Sequence, residues 1–261
     1  MSNEALVQVT VEGAVARVHM NNPKTRNALS VAMMSALIDE FTAIAERRDV
    51  HVAVLSSEGH VFSSGHDLKE LNGADEAART EMFRVCSELM LLIQAIPQPV
   101  IAQVQGVATA AGCQLVATCD LAVAGSSARF GTPGVRIGLF CSTPMVALSR
   151  AVPRKQAMRM LLTGDLIEAE DALAHGLVSD VVPDDELPAA TAELADKVAA
   201  ASSATVALGK AAFYEQIQLA TADAYTRMSE VMVANAGMPD AREGIDAFLG
   251  KRTPVWQHRT K

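Results

Sequence analysis

The chain has 261 residues, half of them hydrophobic, enough for one large domain or for a domain with a helical appendage. Its 30 acidic residues outnumber its 22 basic ones, giving a net charge of −8 with no basic stripe. That balance excludes nucleic acid and an anionic membrane surface as partners, but leaves room for a local basic pocket around a phosphorylated ligand.

In chain order, Leu6 to Val11 and Ala14 to His19 alternate around Glu12-Gly13, which predicts a β-hairpin. The polar loop 21–27 leads to Ser30, the N-cap expected for a helix with Met34, Leu37, Ile38, Phe41 and Ala45 on one face. His51 to Ser56 reads as a buried strand. The stretch 61–71, VFSSGHDLKEL, and a polar segment, Asn72 to Ala78, precede a helix that ends near Ala95. Leu121 to Ala124 is a further strand, Phe130 to Gly134 a turn, and Ser142 to Ala151 a helix. Helical patterning then runs near 154–162, 168–175, 187–201, 203–218, 221–236 and 239–249, with a strand-like piece at Leu177 to Val182. No repeat of 20–50 residues and no low-complexity segment occurs. Strands alternating with helices over the first 185 residues predict stacked β–β–α units, with residues 186–261 as a helical C-terminal part.

Between these lies PVIAQVQGVATAAGCQLVATCD (99–120), read as a buried strand at Val100 to Val104, a run of small residues, and a helix opening near Ala111. A helix N-terminus offers unpaired N–H groups and a partial positive charge to an anion or a developing oxyanion. Tight packing of a helix on a sheet asks for the same small residues. On this stretch alone, packing is the simpler reading.

Four cysteines (Cys86, Cys113, Cys119, Cys141) form no CxxC pair and no zinc spacing, and are read as buried thiols in a reducing compartment. No cluster of metal ligands is visible, so no metal is expected. The N-terminal MSNEALVQ has neither signal nor transit character. The run Pro99 to Gly125 is broken by Gln103, Gln105, Gln114 and Asp120. A cytoplasmic protein without a membrane span is expected.

Several segments, in order, resemble the enoyl-CoA hydratase/isomerase, or crotonase, superfamily: NNPKTRNALS (21–30), VFSSGHDLKEL (61–71), the block 99–124 with FGTPGVRIGLF (130–140), and AREGIDAFLGKRTP (241–254). The resemblance covers nearly the whole chain. It implies an α/β fold, a crotonase-like spiral of ββα units with a helical C-terminal trimerisation part, assembled as a homotrimer or a dimer of trimers. It implies an acyl-CoA thioester as ligand, with coenzyme A part of the substrate and no separate cofactor. In the family, two main-chain N–H groups polarise the thioester carbonyl; by position these belong to His66 and Ala111. Ala28, His66, Asp67, Leu68 and Lys69 would lie along the coenzyme, Cys141 and Ser142 near the acyl end, and Met232 and Lys251 would approach the coenzyme from the C-terminal part.

The chain departs from the family's hydratases at the two catalytic glutamates, where it carries Gln114 and Gly134. An amide does not titrate near pH 7, so Gln114 can orient a water without taking its proton, and Gly134 has no side chain. With general acid–base help worth about 10²–10⁴-fold per group, efficient hydration by that route is not expected. The sequence resembles one branch of the family that shares this loss. The nominal reading is an enoyl-CoA hydratase of fatty-acid metabolism with weak or altered activity. Decarboxylation or other thioester-enolate chemistry on a short acyl-CoA is an alternative, suggested by Ser-Gly-His-Asp, and a non-catalytic acyl-CoA-binding protein is another. The His66 ring is read as lining the coenzyme channel, Asp67 as pinning its loop, Asp120 as structural, and Cys141 and Ser142 as pocket lining. A triad of Ser63 or Ser64 with His66 and Asp67 is implausible, because neighbours in one loop do not converge.

Overall fold

The computed structural model describes residues 5–258. The hairpin forms as β1 (Val7–Glu12) and β2 (Val15–Met20), antiparallel, with Glu12 opposite Val15 across a two-residue turn. Helix α1 (Val31–Ala45) starts at Ser30, whose side chain accepts from the Met33 N–H, the expected cap. Then follow β3 (Val52–Ser57), β4 (Val61–Ser63), α2 (Leu68–Gly73), α3 (Glu76–Ala95), β5 (Val100–Val104), β6 (Val107–Thr109) and α4 (Ala111–Thr118). After β7 (Leu121–Gly125) and β8 (Arg129–Gly131) come α5 (Pro144–Ala151), α6 (Arg154–Thr163), β9 (Ile167–Glu168), α7 (Ala169–Ala174) and β10 (Asp180–Val182). Four helices finish the chain: α8 (Leu187–Ala199), α9 (Ser203–Gln216), α10 (Thr221–Ala236) and α11 (Pro239–Leu249).

The strands form two sheets. One has the order β1-β2-β3-β5-β7-β10, parallel beyond the hairpin; the other has the order β4-β6-β8-β9. Successive strand pairs (β3 and β4, β5 and β6, β7 and β8) each contribute one strand to each sheet, the repeating unit of a ββα spiral. All six residues of β3 are buried, because the large sheet is covered on both faces. Ala53 and Leu55 join the main core with α1, α3 and α4, whereas Val52 and Val54 meet Leu187 and Ala195 of α8. Each fully buried Leu or Phe in such a core contributes about 1.5–3 kcal/mol.

Sequence and structure differ most in the second sheet. Phe130 and Gly131, expected in a turn, lie in β8, and Pro133–Ile137 is a 3₁₀ turn. The polar segment 72–78 already holds the end of α2 and the start of α3, which Asp75 caps. Asp120 is structural, as expected. It accepts from the Val100 N–H (2.7 Å) and the Tyr214 hydroxyl (2.9 Å) and pairs with Lys210 at 2.8 Å. Lys210 Nζ also donates to the carbonyls of Ile93 (2.8 Å) and Gln98 (2.9 Å), so α9 is tied to the end of α3 and to the central sheet. Among the described residues no helix is long and apolar enough to cross a membrane.

Removing one member of a buried ion pair strands the other charge, which costs about 3–5 kcal/mol. Lys210→Met is therefore expected to lower unfolding free energy by that amount in urea titration. A variant as stable as the parent would show that the Lys210 side chain, only 5% exposed, carries no net structural weight.

Candidate active site

Segments distant in sequence, 64–68, 110–111 and 133–144, meet around one cleft with Phe83. Asn27, fully buried, donates through Nδ2 to the carbonyls of Glu58 (2.8 Å) and Val61 (2.9 Å) and accepts the Asn22 N–H (2.9 Å). Ser63 Oγ donates to the Asn27 carbonyl at 2.8 Å, and the Leu29 N–H to the Gly65 carbonyl at 2.8 Å. The loop 21–30 thus braces residues 63–66. On the other side the Ala110 N–H donates to Gly131 (2.9 Å) and Thr109 Oγ1 to the Ser64 carbonyl (3.3 Å).

At the closest approach of segments 63–66 and 109–112 the residues are glycines. Gly65 has φ +86°, and a Cβ on it would lie 2.9 Å from the Thr109 carbonyl oxygen and 3.0 Å from the Ala111 nitrogen. A Cβ on Gly112 would collide with Ser63. Ala110, at φ 51° and ψ −118°, occupies a region that costs a non-glycine residue about 1–3 kcal/mol. This turn sets Ala111 at the first position of α4 with its N–H outside the helical ladder. Among the described residues neither the His66 nor the Ala111 main-chain N–H has an acceptor. Two free donors on abutting segments, one backed by a helix N-terminus, can polarise a carbonyl as it becomes an oxyanion.

Both residues line a cleft of ≈ 540 Å³. Its walls are mostly apolar, with Leu68, Phe83, Ile137, Leu139 and Phe140, and among the described residues no carboxylate lines it. Gly134, Cys141 and Ser142 share the lining. Arg136 also lines it, but its guanidinium donates to the Thr163 carbonyl (3.1 Å) and to Asp165. The His66 ring stands edge-on to Phe83, 5.4 Å between centroids at 89°. Phe83, on α3, is a cleft residue that sequence reading missed; its place on a helix face gave only a packing signal. Burial lowers the His66 pKa, against the bond to Leu29 and the charge of Glu70. Burial raises the Cys141 thiol pKa.

Gln114 is 5% exposed and outside the cleft lining, and its Oε1 lies 3.8 Å from Cys86 Sγ on α3. Asp67 caps α2, accepting from the Lys69 N–H (2.8 Å) and the Glu70 N–H (3.3 Å), which fits its expected loop-pinning role. Of the expected coenzyme contacts, Leu68 lines the cleft, Ala28 is buried and does not line it, and Lys69 is exposed on α2. Met232 instead lines a separate hollow of ≈ 490 Å³ among α9, α10, α11 and Trp256, and exposed Lys251 follows α11. Neither is brought to the cleft within one chain. All four cysteines are free and buried.

Residues 10–259 match the family model described as enoyl-CoA hydratase/isomerase, and the chain belongs to that family. Within it, the chain is 50% identical over 258 residues to rat enoyl-CoA hydratase domain-containing protein 3, covering 98% of this chain and 86% of that protein. The human protein of that name has a crystal structure that superposes with a TM-score of 0.94 at 50% identity, covering 96% of this chain and 100% of the other. An enoyl-CoA hydratase structure from Mycobacterium smegmatis gives 0.95 at 46%, covering 97% and 99%. The chain thus falls in the branch of enoyl-CoA hydratase domain-containing protein 3 and has the crotonase fold. These relatives also correct one expectation: those from rat, mouse, Xenopus laevis and human are named as mitochondrial, in conflict with a cytoplasmic assignment. Compartment is not written in a folded core, so composition and buried thiols carried no information about it.

A side chain at position 134 has no room. A Cβ there would run into the Leu139 carbonyl oxygen and lie 2.8 Å from Cys141 Sγ. Gly134→Glu is expected to cost about 1–3 kcal/mol of stability through overpacking, read by thermal or urea unfolding, without establishing hydration. Parental stability together with faster crotonyl-CoA hydration would show that the 134–141 loop yields.

Proposed function

We propose that the protein binds an acyl-CoA thioester with its carbonyl between the His66 and Ala111 N–H groups and stabilises a thioester enolate there, with at most slow hydration of an enoyl-CoA. The observation that carries this reading is the pair of unengaged main-chain donors on residues lining an apolar cleft that has no carboxylate among the described residues. Each such donor is worth about 10²–10³-fold in rate. Both glutamates of the usual hydration route are replaced, so the retained capacity is polarisation of the thioester and the lost one is proton transfer to and from water. The apolar lining supports an uncharged acyl chain, since Arg136 is already engaged by Asp165 and Thr163. No second cofactor enters this reading.

Calorimetry with crotonyl-CoA and butyryl-CoA is expected to give dissociation constants of roughly 1 μM–1 mM. No heat with several acyl-CoAs at millimolar concentration would overturn the proposal. Crotonyl-CoA hydration is expected to be far slower than that of a relative with both glutamates, and Gln114→Ala to leave it unchanged, because Gln114 faces Cys86. Turnover matching a competent hydratase, or its loss in Gln114→Ala, would refute the account of the missing acids.

The C-terminal part also mediates self-association in this proposal, as a trimer or a dimer of trimers. Val233 on α10 is 77% exposed and Phe248 on α11 is 83% exposed, with Tyr225, Met232 and Leu249 nearby in sequence equally unburied. Exposed apolar side chains of this kind on two neighbouring helices call for a covering partner. Sedimentation at micromolar protein is expected to show an oligomer; a stable monomer would contradict it.

A further inference from the structure

We propose that residues 252–258 form a strap that staples α11 to the α8–α9 corner, and that a proton taken up by the His258 ring releases it. None of these residues lines the acyl-CoA cleft, so their behaviour is independent of the function proposed above. Glu243 of α11 holds the start of the strap, accepting from the Arg252 guanidinium (2.5 and 2.8 Å) and from the Val255 N–H (2.8 Å). Trp256 lies against Gly244, where a Cβ would stand 3.1 Å from its ring, and donates through Nε1 to the Ala200 carbonyl at 2.9 Å. It forms one wall of the hollow among α9, α10 and α11. The last hold is Asp240 of α11, 1% exposed. Its carboxylate accepts the N–H groups of Gln257 (2.7 Å) and His258 (2.9 Å) and the Ser202 hydroxyl (2.6 Å).

The His258 ring fits this arrangement in its neutral form. The Ser203 N–H, the first of α9, donates to Nδ1 at 3.2 Å, so the ring proton sits on Nε2. A second proton, on Nδ1, sets two donors against each other. The Ser203 hydroxyl, also 3.2 Å from Nδ1, can turn to accept, but a main-chain N–H cannot. Two further features oppose a positive charge here. The N-terminus of a 14-residue helix carries partial positive charge. The His51 ring packs on that of His258, 4.3 Å between centroids at 40°, with its own Nδ1 3.2 Å from the Ala199 carbonyl. The charges that favour an imidazolium are Asp240, whose two oxygens already serve the strap N–H groups and Ser202, and, toward His51, Asp49, which is bonded to Arg47. Burial and His51 together outweigh Asp240, and the His258 pKa lies below its ordinary value.

With the strap open, the ring has the ordinary imidazole pKa of about 6.5; with it closed, a lower one. Between the two values the open form binds the proton and the closed form does not. The closed form therefore loses stability as pH falls through that window and regains it as pH rises. Opening removes the Trp256 wall of the hollow and the ties between α11 and the α8–α9 corner.

The chain has a single tryptophan, Trp256, so its fluorescence reports the strap directly. The experiment titrates the intact protein from about pH 8 to about pH 4, reading tryptophan emission and its quenching by acrylamide, with far-UV circular dichroism in parallel. The parent protein is expected to show a red shift and stronger quenching with a midpoint below about pH 6.5, at unchanged helical signal. His258→Asn keeps an acceptor for the Ser203 N–H, suits the φ of 55° at this position and does not titrate. It is expected to hold the parent's high-pH emission through the imidazole range. His51→Phe keeps a packed ring without the charge and is expected to raise the midpoint toward about 6.5, a reading that does not depend on how the first variant folds. A parent without the transition, the same transition in His258→Asn, or an unmoved midpoint in His51→Phe would overturn the proposal. So would a transition confined below about pH 4.5, where the carboxylate of Asp240 takes the proton instead, or one accompanied by loss of helical signal.

Discussion

Everything at this site depends on one close approach between backbones. Two segments some 45 residues apart in sequence touch where Gly65 meets Thr109 and Ala111, and no side chain larger than hydrogen fits between them. The local cost is borne by Ala110 in its left-handed turn, held from both sides by its own N–H to Gly131 and by its carbonyl, which accepts the Gln114 N–H at 3.0 Å. Strain of this kind persists only when its surroundings over-determine it. Here they do, and the product is a pair of N–H groups freed from the protein's own hydrogen bonding.

Magnitudes then decide what such a site retains. Two donors aimed at a developing oxyanion are worth about 10²–10³-fold each, comparable with the 10²–10⁴-fold of each absent carboxylate. Under the function proposed above, a site that keeps the first and loses the second lowers the energy of an enolate but does not by itself add water to a double bond. The loss is built into the packing as well as the sequence. The space a glutamate at 134 would need is filled by the Leu139 carbonyl and the Cys141 sulfur, and the side chain at 114 is turned to Cys86.

How much of this was legible in the sequence follows from segment length. The strands of the large sheet are five or six residues long where they carry the core, and their apolar runs were readable as strands. The second sheet is made of three-residue strands and one of two, shorter than any window in which alternation can be seen, so β8 passed for a turn and β6 for a run of small residues. His66 and Ala111 were singled out through the family resemblance, and the helix opening near Ala111 was also readable from its run of small residues. The surroundings of Gln114 were not legible, since spacing along a helix gives the position of a residue but not which neighbour its amide meets. Lys210 was the largest omission. A single lysine on a helix reads as a solvated residue, and only the tertiary fold shows that three main-chain and side-chain oxygens surround it.

That lysine bears on the site through the length of α4. The helix has only eight residues, too few to hold its own position. At its N-terminus Ala110 and Ala111 are fixed by Gly131 and Gly65. Just past its C-terminus, Asp120 is clamped by the Val100 N–H, the Tyr214 hydroxyl and the Lys210 ammonium. The α9 helix that carries both partners therefore anchors the far end of the element whose near end presents the Ala111 N–H. Burial lowers the Lys210 pKa despite its partner, so desolvation outweighs the attraction of Asp120, and the pair is better understood as fixing a position than as adding stability. A short helix with both ends fixed keeps its first N–H in place while ligands come and go, and preorganisation of that sort is what lets a main-chain donor act on a transition state.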